Sequence, residues 1–397
     1  MNNTLKELDT IAVENFRQYL RIPSVHPNVN YEPCVEFLEK LSKSIGLQFT
    51  VFRDVPDNPT VVVTWMGKDK TLSTIMLNSH MDVVPVFEDK WTHKPFDADI
   101  DENGNIYGRG AQDCKCLGIQ YLEAIRRLIK NDFQPRRTVH VTFMPDEEVG
   151  GGNGAGMCVT TDNFKRLNVG FALDEGGEGV GNTLVVYYGE KKRETITVHC
   201  TGQSGHGSSL LENTAGEKLR FILGKFYDYR AEQKKKENEE QRTDNITTLN
   251  LTMVKGGVQH NVIPDEFVLG FDARIPPKNV QEFETTINGW CKDAGEGVWI
   301  DPSENEAHGS TSLTDSNIFW VAFKKAAREM GFQTDLRILH ANTDGRYFRK
   351  ALIPTIGFSP NLNTPVKAHQ NDEFLNINVF LEGIRIYVRI ITALADA

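Results

Sequence analysis

No apolar run in this sequence approaches the ~18 residues of a membrane-spanning helix. The start, MNNTLKELDT, lacks the basic-then-apolar layout of a secretory signal. Positive charge is also short, since 44 Lys and Arg against 54 Asp and Glu leave a net charge of −10. A chain so acidic is poorly suited to a phosphate backbone, which calls for a dense basic face. Cysteine is sparse, six in all, with no Cys-x-x-Cys pair. Neither a disulfide scaffold nor a structural zinc knuckle is therefore expected, and the thiols read as small reduced apolar side chains. The 33 Gly and 16 Pro are near average, which excludes collagen-like and low-complexity chains, and no internal repeat is found. The expectation from these absences is a cytoplasmic globular protein, with neither nucleic acid nor membrane as a partner.

At ~150 residues per domain, a chain of 397 residues holds between two and three domains. In the first half, LKELDTIAVENFRQYL, CVEFLEKLSKSIG and DCKCLGIQYLEAIRRLIKND carry apolar residues three and four apart and read as helices. TVVVTWMG, TIMLNSHMDVV, TVHVTFMPDEE and VGFALDEGGEG are short apolar or β-branched runs that read as buried strands, the last three leading into loops that carry histidine or acids. This alternation predicts an α/β domain, a largely parallel sheet with helices on both faces, whose chemistry lies beyond the carboxyl ends of the strands. From about Tyr188 the pattern changes to β-α-β-β-α-β, the ferredoxin-like split unit. After Ser310 the first pattern returns. The expected organisation is a discontinuous catalytic domain, 1–189 and 308–397, with an inserted α+β lid over 190–307. The charge run from Lys234 to Glu240 reads as a solvated helix end.

The chemistry-bearing residues sit where strands end. His80 closes an apolar strand with Asp82 two residues on, the spacing of a metal ligand whose ring is steered by a carboxylate. Asp113 precedes a helix, where it could serve as N-cap, and its two oxygens could bridge two cations. Asp146, Glu147 and Glu148 follow a buried strand, and three adjacent acids repel one another unless positive charge sits among them. Asp174 and Glu175 repeat the arrangement, and His369 lies among further acids before the closing helix. Such a set of nitrogen and oxygen donors, with no thiolate required, suits two zinc-like ions.

The segments SHMDVVP, GRGAQDCK, PDEEVGG, ALDEG and AHQNDE together resemble, in order, the five metal motifs of the dinuclear zinc family that holds aminoacylases, acetylornithine deacetylase and carboxypeptidase G. FRQYLRIPSV, LNSHMDVVPV, QYLEAIRRL and GFALDEG are similar in wording to the aminoacylase branch. The resemblance implies a three-layer α/β/α zinc-exopeptidase-like domain with a lid that also dimerises. It implies two zinc ions per subunit, one held by His80, Asp113 and Glu175 and the other by Asp113, Glu148 and His369. Glu147 would be the general base and Asp82 the orienter of His80. The LDEG wording favours Glu175 over Asp174 as the ligand.

On the inserted domain, His206 in TGQSGHG resembles a histidine that reaches the partner subunit's active site in a homodimer and holds the oxyanion. Asn261 in GGVQHNVIP and Arg274 in FDARIPP also match the family. Arg274 is the lone Arg in a strand read as otherwise apolar, where it would grip a substrate carboxylate or form a structural ion pair. Thr343 and Arg346 are further substrate-side candidates. The chain departs from the family at Cys114 and Cys116, where Met-Lys-Gly is usual after the bridging Asp, and at Gly345, which replaces Asn. The implied activity is hydrolysis of the amide of N-acyl-L-amino acids. A dipeptidase or carboxypeptidase on the same scaffold is the alternative, and a non-catalytic zinc-binding relative would be expected to lack Glu147.

Overall fold

The computed structural model describes residues 2–240, 242–303 and 309–397. The chain divides into two compact units, Met1–Tyr188 with Thr311–Arg337 and Asn342–Ala397, and Gly189–Ser310 with Ile338–Ala341. The expected edge of the insertion at 307/308 lies outside the described residues. The chain begins with α1 (Asn2–Leu20), α2 (Glu32–Ile45), β1 (Gln48–Phe52), β2 (Thr60–Trp65), β3 (Thr74–His80) and β4 (Asn105–Tyr107). It continues with α3 (Lys115–Lys130), β5 (Val139–Met144), α4 (Asp162–Lys165), β6 (Val169–Asp174) and β7 (Thr183–Glu190). The second unit carries β8 (Lys192–Thr201), β9 (Gly205–His206), α5 (Ala215–Glu240), β10 (Thr248–Gly256), β11 (Val262–Ile263), β12 (Glu266–Ile275), α6 (Val280–Asp293) and β13 (Val298–Ile300). The return comprises α7 (Ile318–Glu329), β14 (Gln333–Leu339), α8 (Gly345–Lys350), β15 (Thr355–Phe358), β16 (Phe374–Asn376) and α9 (Ile377–Ala395).

Strands β3 and β5 are buried along their whole length, as strands covered on both faces must be. Their side chains alternate between two cores. Ile75, Leu77, Val139, Val141, Phe143, Phe171 and Leu173 join the large cluster that also takes in residues of α1, α2, α3, α7 and α9. Met76, Met144 and Ala172 point the other way, into a smaller cluster with Phe164 and Phe348. Period-two alternation into two apolar layers makes the unit three-layered. Helix α3 lies so close to the sheet that a Cβ on Gly118 would stand 2.3 Å from Phe143 Cε1.

The large sheet runs β1-β2-β5-β3-β6-β15-β7-β14. Its centre is parallel, β3 pairing with β5 and β6, and β15 with β6. The β1–β2, β2–β5 and β15–β7 pairs are antiparallel. The expectation of a largely parallel sheet therefore holds only for the middle, and the sheet is mixed. The loop 53–59 between β1 and β2 is too short for a parallel crossover, so this pair turns back on itself.

In the second unit the four-stranded antiparallel sheet has the order β10-β12-β8-β13. Ile222 and Phe226 of α5 and Phe283 and Ile287 of α6 share a core with Ile196, Val198, Leu269 and Phe271 of that sheet. The order β8-α5-β10-β12-α6-β13 is the ferredoxin-like connection.

Candidate metal centre

Parallel pairing brings the carboxyl ends of β3, β5 and β6 to one edge of the sheet; His80 is in register with Met144, and Leu77 with Leu173. Each strand therefore delivers its polar successor to the same place, as open α/β sheets do. His80 Nε2 lies 3.0 Å from Asp113 Oδ1 and 3.6 Å from Glu175 Oε2. His369 Nε2 lies 3.1 Å from Asp113 Oδ2 and 3.1 Å from Glu148 Oε2. One carboxylate, Asp113, thus turns an oxygen toward each histidine, between two groups of donor atoms. His80, Asp113, Glu175 and Cys114 form one, and Asp113, Glu148 and His369 the other.

Asp113 does not cap α3. The N-cap position is Cys114, with no side-chain cap bond, and the carboxylate is turned toward the two imidazoles instead. The turn before it is held by Glu373, fully buried, which accepts hydrogen bonds from Arg109 Nη1 at 2.7 Å, Gly110 N at 3.2 Å, Gln112 N at 2.6 Å and Asp113 N at 3.3 Å. Burial pushes the Glu373 carboxyl up to about 7 against the pull of Arg109.

Asp82 departs from its expected geometry. His80 Nδ1 meets the Asp82 main-chain oxygen at 2.9 Å, while the carboxylate Oδ1 stands 3.7 Å away. The ring is oriented by the backbone, and the carboxylate serves the acidic turn, accepting from Glu147 N at 3.2 Å and Glu148 N at 3.0 Å. His26 Nε2 also donates to it, at 2.8 Å.

The electrostatics call for positive charge. Burial, then the charge of Glu175, raises Glu147 well above the carboxylate range. Burial pushes Glu175 up to about 8 and also raises Glu148. Burial opposes ionisation of Asp113, but its bonds to His369 and His80 hold its carboxyl below the usual value. Those bonds with Asp113 and Glu148 lift His369 to about 10. Burial alone would lower His80, yet its neighbours Cys114, Glu175 and Asp113 raise it. Glu148 Oε1 is buried with no hydrogen-bond partner. An excess of carboxylates over imidazoles, with an orphaned acceptor, fits divalent cations that take mixed nitrogen and oxygen donors. All six cysteines are free and buried, and burial raises the Cys114 thiol pKa.

A second pair of acids lies behind the site. Asp174, buried, accepts from Asn78 Nδ2 at 2.9 Å, Thr343 Oγ1 at 2.8 Å and Gly345 N at 2.6 Å. Asp344, also buried, is raised well above the carboxylate range by burial and then by Asp174. Thr343 and Arg346 are thus engaged within the protein, Thr343 with Asp174 and Arg346 with the Gly150 carbonyl.

The remaining candidates belong to the second unit. His206 on β9 pairs with Val262 on β11, and its exposed ring accepts from Ser208 N at 3.2 Å and contacts Ser208 Oγ at 2.8 Å. Gly207 N donates to Asn261 O at 2.8 Å, so His206 and Asn261 share one small ribbon. Arg274 on β12 is paired with Asp272, Nε to Oδ1 at 2.9 Å and Nη2 to Oδ2 at 3.3 Å. The strand read as otherwise apolar supplies a carboxylate from its own i−2 position. No role was read from sequence for His26, Tyr31, Asn78, Asp344 or Glu373, because their partners are distant along the chain.

Residues 76–393 match the model of peptidase family M20/M25/M40. Aminoacylase-1 of Sus scrofa is 43% identical over 388 residues, 97% of this chain and 95% of that protein. Aminopeptidase PepT from Bacillus cereus has a similar fold, with a TM-score of 0.72 at 17% identity, covering 98% of this chain and 99% of the other. The YXEP protein of Bacillus subtilis, described as a dinuclear metal binding peptidase from the M20 family, gives a TM-score of 0.66 at 15% identity over 97% and 98% of the two chains.

Proposed function

The chain belongs to peptidase family M20/M25/M40, and on that premise we propose that it is an aminoacylase-type amidohydrolase. It hydrolyses the amide of N-acyl-L-amino acids to a carboxylate and a free L-amino acid. The observation that carries this reading is 43% identity to an aminoacylase-1 over 97% of the chain. The two-sided placement of Asp113 supports it.

His80, Asp113 and Glu175 would hold one cation and Asp113, Glu148 and His369 the other, with Asp113 shared. We assign zinc to both positions, since imidazole and carboxylate donors suit it. Bound there, the cations would polarise the amide carbonyl and make water acidic enough to ionise near neutral pH. Glu147 takes the proton from the attacking water and later gives it to the leaving amine. Burial, which raises its pKa, strengthens it as a base beyond an ordinary carboxylate. Asp82 fixes the His80 ring through its carbonyl and the Glu147–Glu148 turn through its carboxylate.

His206, Asn261 and Arg274 would bind substrate from the inserted domain, which serves as lid and dimerisation surface of a cytosolic homodimer. Arg274 would then exchange Asp272 for the substrate carboxylate. Among the described residues no helix is long and apolar enough to cross a membrane.

The test compares an N-acetyl-L-amino acid with an unblocked dipeptide. Faster turnover of the acetylated substrate is expected, and preference for the free amine would replace this reading by a dipeptidase. Glu147→Ala should keep its metal and lose turnover; full activity would remove Glu147 as the base. Sedimentation should give a dimer, and an active monomer would contradict the cross-subunit role of His206.

A further inference from the structure

Asp82 is completely buried, and no sequence pattern marks its partner His26. The connector between α1 and α2 runs beside the end of β3. Val25 bridges Val83 in parallel, His26 N donates to Val83 O at 3.2 Å, and Val83 N donates to Ser24 O at 2.9 Å. Ser24 Oγ adds a bond to Met81 O at 2.5 Å. This pairing sets His26 so that Nε2 reaches Asp82 Oδ2 at 2.8 Å. A carboxylate can only accept, so the imidazole is the donor. The same connector supplies Tyr31, whose hydroxyl accepts from Asp146 N at 2.9 Å.

The turn backed in this way is closed by Gly150 N donating to Glu147 O at 2.8 Å and Gly151 N to Asp146 O at 2.6 Å. Asp146, Gly150 and Gly151 have φ of 70°, 106° and 63°, all in the left-handed region, which a non-glycine residue such as Asp146 occupies at a cost. Anchors from elsewhere help to hold this strained conformation and fix its direction. The Asp82 carboxylate takes the N–H of Glu147 on one oxygen and that of Glu148 on the other. Its own rotamer depends on the side-chain donor that meets it, which is His26.

We propose that His26 is a positioning residue for the reaction. By donating to Asp82 it holds the carboxylate that aims Glu147 at the attacking water and Glu148 at its cation. His26 belongs to neither group of metal-donor atoms and acts only through Asp82. The inference rests on the functional reading above.

Two variants of similar size test it, His26→Gln, which keeps an N–H donor, and His26→Leu, which has none. Each is measured for kcat and KM on an N-acetyl-L-amino acid, for metal retained after dialysis against a weak chelator, and for melting temperature. Outer partners of metal ligands typically change affinity or activity by about 10- to 100-fold. His26→Leu should lose that much in kcat with KM nearly unchanged, and should release metal more readily. His26→Gln should recover to within several-fold of the parent protein in both. Parent-like kcat and metal retention in His26→Leu would overturn the proposal, and so would His26→Gln being as impaired as His26→Leu. If the unmodified protein does not hydrolyse acylated amino acids, the functional reading fails. The metal-retention comparison then still decides the role of His26.

Discussion

Asp174 and Asp344 are both buried and both reach toward Asn78, yet their surroundings differ. Asp174 faces three donors, Asn78 Nδ2 at 2.9 Å, Thr343 Oγ1 at 2.8 Å and Gly345 N at 2.6 Å, which together call for an ionised acceptor. Asp344 Oδ2 has Asn78 Nδ2 at 3.4 Å, and its Oδ1 is buried without a hydrogen-bond partner. Two like charges this close cannot both persist in a dry interior, so the proton resides on Asp344. Replacing each by Asn therefore has unequal consequences. Asp344→Asn exchanges one neutral group for another of the same shape and should change stability by no more than about 1 kcal/mol. Asp174→Asn removes the charge from three hydrogen bonds. A bond to a charged acceptor is worth about 1 kcal/mol more than a neutral one, and the new amide hydrogens would face a donor. The total is about 3–4 kcal/mol. Urea denaturation at pH 7, extrapolated linearly, reads both values. Equal losses in the two variants, or a larger one in Asp344→Asn, would refute this division of charge.

Three further outcomes follow from the same structure. Glu373→Ala strands Arg109, which is only 2% exposed, and at pH 8 should cost about 3–5 kcal/mol in denaturant titration. The double variant Arg109→Met with Glu373→Leu should recover most of it. His140 on β5 is pushed by burial down to about 4 from 6.5. The folded state keeps it neutral while the unfolded chain takes up a proton, so its contribution is present above pH 6.5 and is lost as pH falls toward 4. Between those limits the native protein should lose roughly 3 kcal/mol more than a His140→Gln variant. Adding zinc to chelator-treated protein at about 100 times its Kd should restore about 2.7 kcal/mol for each of the two positions filled, and an unchanged melting temperature would show that the acidic cluster holds no cation.

The extent to which the site could be read from sequence depended on where each residue's partners lie. His80, Glu147, Glu148 and Glu175 follow buried strands whose apolar runs are visible locally, and parallel strands bring their ends together by construction. The ferredoxin-like order of the second unit was readable for the same reason, since each element carries its own periodicity. Asp113 was read ambiguously, because an acid before a helix has the same local appearance whether it caps the helix or faces a metal. Arg274 was read as open between a substrate grip and an ion pair, because Asp272, its neighbour on the same face of β12, stands in an i,i+2 relation that the apolar pattern concealed.

From sequence alone came the element types, the two-part organisation and an ordered set of donors able to hold two cations, because periodicity and strand-end chemistry are local properties of the chain. Only the tertiary structure decided that the sheet is mixed, that Asp82 steers His80 through its backbone, that His26 meets the Asp82 carboxylate, and that Glu373 holds the turn before Asp113. These contacts join residues 56 and 264 positions apart in the His26–Asp82 and Arg109–Glu373 pairs. A hydrogen bond depends on distance and direction in space, and neither is encoded in the spacing of residues along the chain.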